Sequence, residues 1–80
     1  MTKNELINLI ENGSDILLKI SGRSFWIFTW TEDGICITEE GQDGTGARYY
    51  GTASELVNYF RINDVPIGDL VEGIRILEYS

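Results

Sequence analysis

The spacing of apolar residues changes period along the chain. Leu6, Ile7, Leu9 and Ile10 recur at helical spacing. Thr2 and Glu5, three residues apart, make a capping box in which hydroxyl and carboxylate satisfy free amides of the first turn. Asn12-Gly13 is expected to end this helix, with the glycine left-handed. From Asp15 the period becomes two. Strands are expected over 15–20, 23–31 and 35–39, joined by a two-residue turn, Ser21-Gly22, and a three-residue loop, Glu32-Asp33-Gly34, with Gly34 left-handed.

Register follows from the faces it creates. The first turn sets Leu18 opposite Phe25 and Ile16 opposite Ile27. The second sets Thr29 opposite Ile37 and Thr31 opposite Ile35. Ile16, Leu18, Ile20, Phe25, Ile27, Ile35 and Ile37 then share one face, on which the helices should pack. A four-residue loop would scatter that set. The opposite face carries Leu17, Lys19, Trp26, Phe28, Trp30, Cys36 and Thr38. Its three alternating aromatics leave two alternatives open, coverage by a helix over 52–61 or an exposed patch.

Residues 40–46, with three glycines, read as a mobile connection. Arg48-Tyr49-Tyr50 reads as a fourth short strand. Thr52 and Glu55 repeat the capping box ahead of a helix with Leu56, Val57 and Phe60 on its face, and Asn63-Asp64 ends or follows it. Pro66 suits the first turn of a short third helix over 66–72. The alternation from Ile74 to Tyr79 closes the chain with a strand. The expected fold class is α+β in a single domain over 1–80: an N-terminal helix, an antiparallel three- to four-stranded meander, one or two following helices and a short C-terminal strand.

Composition narrows the function. Eighty residues suit one domain, and 42% hydrophobic with 24% charged is ordinary globular usage. Six basic against 13 acidic residues give a net charge of −7. That field repels nucleic acid and anionic membranes, and attracts a protein with a basic surface. A single cysteine, Cys36, allows no internal disulfide and fits a reducing cytoplasm. The longest purely apolar run, residues 25–28, is far below the ~20 residues a membrane helix needs. There is no histidine, the commonest general base and a usual metal ligand. No calcium loop or phosphate-loop spacing occurs, since Gly44-Thr45-Gly46 lacks the lysine and third glycine of the known motifs. The expectation is a non-enzymatic binding protein with no cofactor and no metal, acting as a monomer or homodimer.

Two features carry that binding reading. One is a row of carboxylates, Glu32, Asp33, Glu39, Glu40 and Asp43, expected at the loop edge of the meander and joined by Asp15; a solvated edge that discourages aggregation is its plain alternative. The other is the aromatic stripe, above all Trp26 and Trp30. Tyr49, Tyr50, Tyr59 and Tyr79 add amphipathic groups of the kind enriched at interfaces. A capped short helix, a compact meander with an acidic turn and a following helix, in a short acidic chain, together resemble the small phage inhibitors of the type II-A anti-CRISPR group. The resemblance is one of layout. It implies mimicry of DNA, with the five carboxylates offered to the arginines of a basic cleft such as that of a Cas9-type nuclease. A homodimer through the aromatic face, or an immunity or antitoxin-like protein, are the competing expectations.

Overall fold

A computed structural model describes residues 1–42 and 45–80. In chain order the elements are helix α1 (Lys3–Asn12), strands β1 (Asp15–Ile20), β2 (Arg23–Thr31), β3 (Gly34–Glu39) and β4 (Arg48–Tyr50), helix α2 (Ala53–Tyr59), strands β5 (Arg61–Ile62) and β6 (Val65–Pro66), two single 3-10 turns (Ile67–Asp69 and Val71–Gly73), and strand β7 (Arg75–Tyr79). The class is α+β, as expected. Among the described residues no helix is long and apolar enough to cross a membrane.

The cap of α1 forms as its sequence dictates. Thr2 Oγ1 accepts from the Glu5 amide at 3.1 Å, and the Glu5 carboxylate accepts from the Thr2 amide at 2.7 Å. That bonding holds the Glu5 carboxyl below its ordinary value. The end of α1 differs from expectation: Gly13 has φ −104° and is extended rather than left-handed. Glycine leaves room there for two neighbouring side chains. A Cβ would stand 2.8 Å from Ile16 Cδ1 and 2.9 Å from Tyr79 Cε1, where the chain turns in beneath the final strand.

The sheet order is β4-β3-β2-β1-β7, a four-stranded meander with the C-terminal strand added beside β1. The first hairpin has the expected register, Ile16 opposite Ile27 and Leu18 opposite Phe25. Its turn residues Ser21 and Gly22 both have positive φ, 52° and 78°, which matches the twist of the flanking strands. The second hairpin differs. Thr31 pairs with Gly34 around Glu32-Asp33, and Thr29 and Trp30 of β2 then stand against Ile35 alone. Beyond this bulge Ile27 pairs with Ile37, and Phe28 with Cys36. Thr29 is therefore not opposite Ile37, nor Thr31 opposite Ile35. The outcome is a row of fully buried isoleucines, 16, 27 and 37, across three strands. A two-residue shift preserves side-chain parity, so the expected faces survive the wrong register.

Both helices pack on the isoleucine face. Leu6 and Ile10 of α1, and Ala53, Leu56 and Val57 of α2, join Ile16, Leu18, Ile20, Phe25, Ile27 and Ile37 in one buried cluster, completed by Ile62 and Ile67. Thr52 caps α2 by accepting from the Glu55 amide at 3.1 Å. The third helix over 66–72 does not form. Asn63 and Asp64, with φ of 52° and 66°, close a tiny hairpin that commits Val65-Pro66 to extended pairing. With Pro66 held in that extended pair, the segment before β7 takes two 3-10 turns instead.

Candidate functional site

Alternation in a sheet with helices on one side leaves the other side bare. Across that outer face Leu17 pairs with Trp26, Trp26 with Thr38, Phe28 with Cys36, and Cys36 with Tyr49. The helix over 52–61 does not cover the aromatic stripe, because its apolar residues are spent on the opposite side. Instead the rings shelter one another. Trp26 stacks on Phe28 at 5.6 Å with 9° between planes, and Phe28 meets Trp30 at 5.8 Å and 54°. Leu17 and Cys36 are buried beneath this layer, while Trp26 and Phe28 are half-buried. Trp30 is 67% exposed and Tyr49 50%.

Trp30 is nonetheless held. Its indole Nε1–H donates to Asp15 Oδ1 at 2.6 Å. The bulge that precedes the turn is anchored from the other side, where Thr29 Oγ1 donates to the Gly13 carbonyl at 2.6 Å and the Thr29 amide to the Ser14 carbonyl at 3.0 Å. Tyr49 stands beside the Cys36 thiol and near Asp33; Cys36 first, then burial and the Asp33 charge, push the Tyr49 hydroxyl pKa up. The Thr38 hydroxyl, also on this face, is buried and has no hydrogen-bond partner.

The carboxylates do not form one rim. Glu32 and Asp33 occupy the β2–β3 turn, whereas Glu39 and Glu40 lie at the far end of β3, a six-residue strand of about 20 Å. Glu39 is also engaged: its two oxygens accept from Arg23 Nε at 2.9 Å and Nη2 at 2.8 Å. The Arg23 bond holds the Glu39 carboxyl below its ordinary value, and the guanidinium lies 5.3 Å from the Phe25 ring centre, on the helix side of the sheet. Glu40 is exposed. Asp43 lies outside the described residues. Of the expected set, Glu32, Asp33 and Trp30 share one end of the molecule, with Asp15 beside them. Lys19 and Arg75, paired across β1 and β7, mark the other end of the outer face.

No family model, curated protein or solved structure matches the chain. The reading of function rests on these residues and their arrangement. Sequence reasoning did not find two parts of the surface. The Trp30–Asp15 bond joins the end of β2 to the start of β1, diagonally beyond the Asp15–Phe28 pair, and the approach of Tyr49 to Cys36 needed the β3–β4 pairing. Parity along Arg48-Tyr49-Tyr50 is the only sequence signal for the second.

Proposed function

We propose that this chain is a non-catalytic binding protein that docks on a protein with a basic surface through the outer face of its sheet. The observation that carries the reading is the uncovered aromatic layer of Trp26, Phe28, Trp30 and Tyr49, with Asp15, Glu32 and Asp33 at one end. Exposed aromatic patches with a polar rim mark interaction surfaces. A net charge of −7 supports a cationic partner, since it steers such a surface toward the chain.

In its specific form the proposal is an inhibitor encoded by a phage or mobile element, occupying the nucleic-acid cleft of a nuclease of the Cas9 type. The test is cleavage of target DNA by a guide-loaded Cas9-type nuclease titrated with the purified chain. Inhibition is expected, weakening steeply between about 0.05 M and about 0.5 M salt. It should be lost in the variant E32Q/D33N/W30A. Full inhibition by that variant, or none by the parent, ends the nuclease reading. An immunity-type protein blocking another basic enzyme would use the same face.

The bare aromatic face favours a second reading, a homodimer formed sheet to sheet. Light scattering decides it: a dimer mass that persists at both salt concentrations supports association of two copies.

A further inference from the structure

Accepting the outer face as the docking surface, we infer that its anchor is an arginine of the partner protein, received by the exposed indole of Trp30 and the carboxylate of Asp15. Three observations meet at this corner. Trp30 presents most of its surface to solvent yet is fixed at its edge by the 2.6 Å bond to Asp15. An anchored ring loses little freedom when a partner lands on it. The bond uses Oδ1 alone, so Asp15 Oδ2 keeps its capacity to accept. Glu32 and Asp33 in the adjoining turn add negative charge, while the nearest cations of the outer face, Lys19 and Arg75, lie toward its other end.

This chemistry selects a guanidinium over an ammonium. A guanidinium is planar, stacks on an aromatic face and still directs N–H groups to a carboxylate, whereas a lysine is a strongly hydrated point charge. Phe28, tilted 54° to Trp30, extends the aromatic surface under the alkyl part of the same side chain. A second copy of the chain is a poorer occupant. It brings a further net charge of −7, and only six basic residues in total.

The test uses the intact protein labelled with nitrogen-15 and two capped peptides at matched ionic strength, one alternating arginine with glycine and one alternating lysine with glycine. Chemical shifts are followed during titration. The Trp30 indole N–H should move most, and the arginine peptide should bind at least about threefold more tightly than the lysine peptide. Asp15→Asn keeps an acceptor for the indole but removes the charge, and Trp30→Leu removes the ring. Each should bring arginine binding down to the lysine level. Glu40→Gln, at the far end, should leave the preference intact.

Equal binding of both peptides on the outer face overturns the arginine anchor and leaves the basic-partner reading standing. If neither peptide moves outer-face signals, that broader reading is sunk as well. A shift of the indole signal with protein concentration alone, abolished by Arg75→Gln, would assign the corner to a second copy and also overturn the proposal.

Discussion

Trp30 and Phe25 belong to the same strand and meet opposite fates. Phe25 is buried on the helix face, edge-to-face with Phe60 at 5.7 Å, and Trp30 stands in solvent. Phe25→Ala should therefore cost about 3–5 kcal/mol in urea unfolding. Trp30→Ala should cost under about 1 kcal/mol, since it loses one exposed hydrogen bond and little packing. A large loss at Trp30 would mean that the outer layer is structural rather than a contact surface. Gly34 offers a second contrast. Its φ is +114°, and a Cβ would stand 2.5 Å from the Tyr50 carbonyl oxygen of the neighbouring strand. Gly34→Ala is expected to cost about 2–4 kcal/mol, because strain and collision add. At Gly22, with φ +78° and open space around it, the same change should cost only about 1 kcal/mol.

At the scale of elements, ends and turns govern more than propensity does. Both helices begin at a threonine cap, and Thr52→Ala should lower stability by about 1 kcal/mol by freeing the Glu55 amide. The β5–β6 hairpin places Asp64 at φ +66°, a conformation glycine adopts without strain. Asp64→Gly should accordingly be neutral or stabilising by up to about 1 kcal/mol, despite the general cost of glycine in a folded chain. That hairpin also explains why a proline expected to open a helix sits instead in a strand. Pro66 supplies φ −59°, which suits either structure, and the preceding turn decides between them.

At the scale of the whole molecule, charge is the main lever. Glu5 and Glu39 are both held below the ordinary carboxyl value of 4.5, by Thr2 and by Arg23 respectively. Depressed folded-state values stabilise the protein above the unfolded value, and that contribution is lost as pH falls through the folded ones. Stability should hence drop on acidification from about pH 5 to about pH 3, and the drop should be shallower in Arg23→Gln, where Glu39 loses its partner. Thermal unfolding across that range, with parent and variant side by side, checks the sign. Tyr49 acts at the other extreme. Its raised value favours the neutral hydroxyl in the fold, a contribution present below pH 10 and lost as pH rises further.

Local chemistry written into the chain was sufficient for the threonine N-caps of the two helices, the strands of the meander and the division of the sheet into an isoleucine face and an aromatic face, because side-chain parity and N-capping depend on residues a few positions apart. It was not sufficient for the register of the second hairpin, which was set by aligning Ile16, Ile27 and Ile37 across three strands, with a bulge at Thr29 and Trp30 taking up the difference. The same contrast governs the candidate surface. Alternation could mark Trp26, Phe28 and Trp30 as neighbours on one face, but only the packing of both helices on the other side left them bare. Glu32-Asp33 and Glu39-Glu40 were parted by the length of β3, and Asp15 of β1 met Trp30 on the neighbouring β2. Proximity between distant residues depends on how the elements assemble, and periodicity within one element carries no record of it.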